Sequence, residues 1–171
     1  DNEVRAAFRY CDGHLHRING EAHKRRHEDE EAQRELTEAV ASFREAADLR
    51  RDWPDPFLGL ARTFIYGLED IDRGADALNE AQRRGYTPTE RETVQLADGY
   101  RARGNSLMKS AEQLSGMSQE SDYLNRAVES YQRALALYEQ ATGDAHTPPT
   151  LAALTGIVSV DWKPQCGKVN V

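Results

Sequence analysis

Residues 11 to 27 read CDGHLHRINGEAHKRRH and hold four of the chain's five histidines and one of its two cysteines. Imidazole nitrogens and thiolates are common transition-metal ligands, so metal chemistry would sit here. On a helix, His23 and His27 are four apart and share a face, where two rings can hold one ion with Glu30 or Glu31 as a further ligand. The pattern stops at H-x3-H, without the rest of a zinc signature, and Lys24, Arg25 and Arg26 among the histidines oppose a cation. A solvated helix face near a hairpin tip, with His16, His23 and His27 on its wetter side, accounts for the same residues. No metal is therefore expected, His23 and His27 being the weak candidates, and a metal- or pH-responsive element on these histidines is a distant alternative. Cys11 falls on a stripe with Val4, Phe8, Leu15, Ile18 and Ala22, which the spacing places inward as core.

Other chemistry has less to build on. There is no Gly-rich phosphate loop, no nucleophile elbow, no H-E-x-x-H and no supported Cys/His pair, so neither catalysis nor a cofactor is expected. Glu69-Asp70 and the run Glu28-Asp29-Glu30-Glu31 read as helix caps and solvated surface. A formal net charge of -7 argues against a nucleic-acid partner, which needs a clustered positive field. The basic residues are mostly Arg, a bias that reflects genome composition. Cys11 and Cys166 do not make a disulfide framework. The longest apolar run is too short to cross a bilayer, so this segment should not insert in a membrane. The start at Asp1 without Met suggests a processed or trimmed chain, cytoplasmic or tethered to a membrane through a segment ahead of it.

The elements that must position these residues are helices. Mean hydropathy is -0.78, and the long stretches rich in Ala, Glu, Arg and Leu favour helix. Asp55-Pro56 marks a start and Gly67 a stop, and Asp70 opens the next helix. Arg83-Arg84-Gly85-Tyr86 closes that helix with basic residues and a C′ glycine. Thr87-Pro88-Thr89-Glu90 has the form of a capping box with proline at the first helical position. Ser115-Gly116 and Gly143 are further stops, and Thr147-Pro148 a final start. The first hairpin turn lies at Asn19-Gly20 or near His27-Asp29. No alternating apolar run argues for a sheet.

Two patterns recur in alternation. Ala39-x3-Phe43-x2-Ala46 returns as Gly74-x3-Leu78-x2-Ala81 and as Ala127-x3-Tyr131-x2-Ala134. Phe57-x2-Leu60-Ala61-x2-Phe64 returns as Thr93-x2-Leu96-Ala97-x2-Tyr100 and as Leu151-x2-Leu154-Thr155-x2-Val158. Each puts large and small residues on one stripe, where small meets large between neighbouring helices. The alternation resembles the tetratricopeptide repeat, whose helix A reads W-x2-L-G-x2-Y and helix B A-x3-F-x2-A. AVESYQRALALYEQA (127 to 141) is the best match, and the likeness covers roughly residues 36 to 141. The expected fold is all-α, an antiparallel helix-hairpin solenoid. Approximate repeats span 1–52, 53–86 and 87–143, followed by a capping helix over 147–159 and an irregular tail, 160–171, carrying Trp162. Thr93 to Ala127 is about seventeen residues longer than the corresponding step from Phe57 to Gly74, which is close to the family's ordinary spacing. Leu107, Met108, Ala111 and Leu114 continue the stripe of Tyr100, so both helices of the last hairpin grow, and the first hairpin does the same.

The resemblance implies a protein–protein interaction scaffold that holds a peptide or partner helix in the groove lined by helix A. The groove-facing candidates are Leu58, Arg62, Ile65 and Tyr66 in one repeat and Arg91, Val94, Gln95, Asp98 and Arg101 in the next. The lysine–asparagine pair with which family members clamp a chaperone's acidic terminus is missing. A mixed apolar and acidic ligand suits the lining better, since arginine forks pair carboxylates beside a dry floor. Two lengthened hairpins flanking a short one offer an alternative site, a notch in which Met108 and Leu114 (and Met117) meet a partner; the other arrangement packs the arms on each other or on the tail around Trp162 and closes the notch. The alternative is a structural module that forms homo-oligomers or links domains of a larger or membrane-tethered protein.

Overall fold

The computed structural model describes residues 1–143, Ala153 and Gly156, and every element among them is helical. Helices α1 (Asn2–Arg25) and α2 (Asp29–Leu49) form a long first hairpin. The second hairpin is short: α3 (Asp55–Arg62) runs into a π turn (Thr63–Gly67), and α4 (Ile71–Arg83) returns. The third, α5 (Glu90–Gln113) and α6 (Glu120–Thr142), is long again. The chain is thus all-α and built from helical hairpins. Beyond Ala153 and Gly156, the expected capping helix and the tail with Trp162 lie outside the described residues. Packing divides the chain inside α5, at Gly99–Tyr100, into two compact units.

Phe43 and Leu36, both on α2, organise the first unit. Phe43 is fully buried and Leu36 nearly so. A Cβ on Gly13 of α1 would stand 2.8 Å from the Phe43 ring, and one on Gly59 of α3 would stand 2.5 Å from it. Leu36 is held in the same way between Gly20 of α1 and Gly67 of the π turn. Large side chains therefore fill the gaps left by glycines on both neighbours, which lets three helices approach closely. Ala39, Val40, Leu60, Ala61, Phe64, Ala77 and Leu78 complete the core around Phe43. In the second unit Tyr131 takes the place of Phe43 in its pattern, lying against Gly104 and Gly156 and donating to Asn105 Oδ1 at 2.9 Å.

The inward face of α1 is therefore Ala6, Gly13, Arg17 and Gly20. The apolar stripe that the spacing assigned to the core is outside: Val4, Phe8, Leu15 and Ile18 are 67, 67, 57 and 52% exposed, and Cys11 is exposed as well. The reason is steric. A helix that must approach Phe43 and Leu36 within contact distance turns its smallest residues inward, even when larger apolar residues line its other face.

Two caps are displaced from their expected places. Pro54, without a side-chain bond, is the N-cap of α3, so Asp55 lies in the first turn and favours the helix dipole there. The capping box before α5 is Thr89-x-x-Glu92: Glu92 accepts from the Thr89 amide at 2.8 Å, and the Arg91 amide reaches Thr89 Oγ1 at 3.3 Å. Asp70 caps α4 through the Arg73 amide at 3.0 Å. Gly85, at φ 87, closes α4 with Tyr86 N–H donating to Ala81 O at 3.1 Å and Gly85 N–H to Gln82 O at 2.9 Å.

The first hairpin turns at Arg26–Glu28, not at Asn19-Gly20. Glu28 N–H donates to His23 O and His27 N–H to Lys24 O, both at 3.1 Å, with His27 in the left-handed region at φ 60. This is the glycine position of a Schellman closure, filled by a residue that tolerates it poorly. His27→Gly is expected to raise stability by up to about 1 kcal/mol, since the left-handed strain of an L residue exceeds the entropic cost of glycine. Urea unfolding would read it, and a loss of stability would show that the His27 side chain does more than turn the chain.

Candidate functional site

Arg62, the last residue of α3, and Tyr66, inside the π turn that follows, are four apart and both face the C-terminal end of α1. Thr63 Oγ1 donates to Gly59 O at 2.8 Å, and Leu68 N–H reaches back to Thr63 O at 3.0 Å, an i→i+5 bond that widens the helix end. Lys24 closes this end. Its ammonium donates to Gly67 O at 2.9 Å, Tyr66 O at 3.3 Å and Glu69 at 2.6 Å, satisfying carbonyls that the helix leaves open.

Between α1, the end of α3 and the start of α5 lies a cleft of about 690 Å³ lined by Glu21, Lys24, Arg25, Arg62, Tyr66, Glu90, Arg91, Val94 and Gln95. A smaller recess of about 130 Å³ shares Arg62, Arg91 and Gln95 and adds Tyr10, His14, Leu58 and Tyr86. One groove thus has a charged end and an aromatic end. His14 is half-buried at the latter, edge-on to Phe43 at 5.0 Å and to Tyr10 at 4.5 Å. Burial, helped by Arg17 and Arg62, holds its pKa below the usual histidine value. Burial and the neighbouring Glu92 push the Tyr86 phenol up.

Three guanidiniums differ in how far the chain itself satisfies them. Arg62 stacks on Tyr66 with its carbon 5.7 Å from the ring centroid, and its buried Nε faces Glu21 at 4.0 Å, beyond hydrogen-bond reach. Arg25 and Arg91, both exposed, have no ion-pair partner among the described residues. Glu21 itself is tied to Arg17 at 2.5 Å. The groove therefore offers the exposed guanidiniums of Arg25 and Arg91 beside Leu58, Val94 and Tyr86.

Of the residues expected to line the groove, Leu58, Arg62, Tyr66, Arg91, Val94 and Gln95 come together there. Asp98 accepts from Tyr66 Oη at 2.8 Å and orients that ring. Ile65 does not line it. The π turn rotates Ile65 inward, where it is 2% exposed and packs on Gly74 and Gly99. Arg101, Met108 and Leu114 belong to the second unit, where Arg101 Nε donates to Tyr138 Oη at 3.2 Å and the other two are half-buried. The contributions of α1, Tyr10, His14, Glu21, Lys24 and Arg25, were not expected. Ala6, Gly13 and Gly20, small residues seven apart, were the signal that would have turned this helix the right way round.

The histidine pair does not form as the H-x3-H spacing requires. α1 ends at Arg25, so His27 lies in the turn, while His23 Nδ1 bonds Glu28 at 2.5 Å. His16 Nδ1 is 2.8 Å from Glu35, and that bond holds the Glu35 carboxyl below its ordinary range. No group of three potential metal ligands exists among the described residues. Nor is any described helix long and apolar enough to cross a membrane. No protein-family model, curated protein or solved structure matches the chain, so the tetratricopeptide likeness rests on the chain's own residues.

Proposed function

We propose that the chain is a protein-binding module whose groove holds an extended or helical peptide carrying both carboxylates and apolar side chains. The observation that carries this reading is the pair of exposed guanidiniums without an ion-pair partner among the described residues, Arg25 and Arg91, beside Arg62, which meets Glu21 only at 4.0 Å. A ligand carboxylate would satisfy them by charge-assisted, bidentate bonds. Leu58, Val94, Tyr10 and Tyr86 would cover an apolar side chain between two such contacts. The chain's overall charge of -7 repels an acidic ligand at long range, so recognition depends on these local forks and not on steering. The repeat likeness supports the same reading, and nothing in the groove is arranged as a nucleophile with its base.

Fluorescence anisotropy with a labelled peptide of alternating Leu and Glu tests it, against a Leu and Lys peptide of equal length. The Leu/Glu peptide is expected to bind, more weakly as salt is raised towards physiological strength, and the Leu/Lys peptide is not. Equal binding of the two, or none by the acidic one, removes the proposal.

A further inference from the structure

The outer face of α1 repeats with a different period from its inner one. Val4, Phe8, Cys11, Leu15, Ile18 and Ala22 are spaced 4-3-4-3-4, the a/d spacing of a coiled-coil seam, while Ala6, Gly13 and Gly20 occupy the opposite position of the same heptads and face α2. Between Arg9 and Lys24 the exposed residues of α1 are Cys11, Leu15 and Ile18 alone. The charged residues beside the seam are engaged within the chain: Arg9 with Glu45 at 2.8 Å, His16 with Glu35 at 2.8 Å, Arg17 with Glu21 at 2.5 Å and Lys24 with Glu69 at 2.6 Å. A helix with a matching apolar seam fits this face and, between Arg9 and Lys24, meets no unpaired charge.

The two ends of the helix settle orientation. Exposed Asp1 and Glu3 stand at its start, exposed Arg25 and Arg26 at its finish. A helix lying antiparallel with the same charges reversed is complementary at both ends, and its dipole opposes that of α1. A second copy of α1 has that seam and those ends. We infer that the chain self-associates through α1, antiparallel about a two-fold axis, with Phe8 against Ile18 and Cys11 against Leu15 of the second copy. In this register every a residue meets a d residue, large sits against smaller, and the acidic start of each copy, Asp1, lies toward the basic finish at Arg26 of the other. The seam from Val4 to Ala22 is about 27 Å long. That places the contact near the lower bound for a specific interface, on the order of 1,000 Å², the size class of weak, transient pairs.

Sedimentation equilibrium of the full chain across the micromolar range is expected to show a mass rising from one chain to two. Phe8→Asp and Leu15→Asp should each hold it at one, with helical circular dichroism unchanged because both side chains lie outside the fold. In a Cys166→Ser background, Leu15→Cys should cross-link to a dimer under mild oxidation much faster than the chain with Cys11 alone. A single-chain mass at every concentration overturns the inference, whether the rest of this chain or another protein covers the seam. Dimers that survive both Asp substitutions with intact helicity also overturn it. Fast cross-linking through Cys11 alone indicates a parallel pair and overturns the register.

Discussion

Gly13→Val should destabilise the first unit by about 2–3 kcal/mol, although valine is the better helix former of the two. A Cβ at position 13 would stand 2.8 Å from Cδ1 of Phe43. The ring has no room to withdraw, because Gly59 presses on its other side closely enough that a Cβ there would stand 2.5 Å from Cε1. Valine adds two further methyls to that collision, and the cost must appear as a shift of α1 or a strained rotamer at Phe43. Phe43→Ala, the opposite change, leaves a void at a fully buried site and is expected to cost about 3–5 kcal/mol. The two effects are coupled through one volume, so in a Phe43→Leu background the penalty of Gly13→Val should shrink by at least about 1 kcal/mol. Urea unfolding of the four chains measures this cycle. Additive penalties would mean that the ring does not fill the gap between these glycines.

In the groove, Arg62→Ala with Arg91→Ala should weaken binding of the Leu/Glu peptide by about 10- to 100-fold, the loss expected for one charge-assisted hydrogen bond with a small, solvent-screened addition from exposed Arg91. The two side chains should not contribute alike. Arg62 is stacked on Tyr66, whose hydroxyl is held by Asp98, so its fork is already oriented. Arg62→Lys keeps the charge and loses both the planar fork and the stack, and should retain little of the affinity. Arg91 is exposed, and Arg91→Lys should act mainly through charge, with a loss that diminishes as salt is raised. If Arg62→Lys binds as the unaltered chain does, bidentate recognition at this position is wrong. If the double Ala chain binds normally and Met108→Asp with Leu114→Asp does not, the ligand sits on the second unit and the groove is not the site.

Helix and hairpin were legible from residue order because they are decided locally. Proline and glycine punctuation, the Asp70 cap, the Gly85 closure and the small–large spacing on α2, α4 and α6 act within a turn or two of where they stand. The unequal hairpin lengths follow from the distance between repeated patterns. The groove was half legible: Leu58, Arg62, Tyr66, Arg91 and Gln95 share helix faces that the period predicts. What residue order alone did not decide was which face of α1 turns inward, because that helix carries two periodic stripes, one large and apolar, one small. Hydrophobicity favours burying the first. The choice of the second is made by Phe43 and Leu36 on another helix, whose bulk leaves space only for Gly13 and Gly20. That same rotation brings Glu21, Lys24 and Arg25 to the groove and puts Phe8 and Leu15 into solvent. Ile65 was misplaced for a related reason: the π turn inserts its extra width through a bond from Leu68 to Thr63, a contact that no repeat pattern encodes.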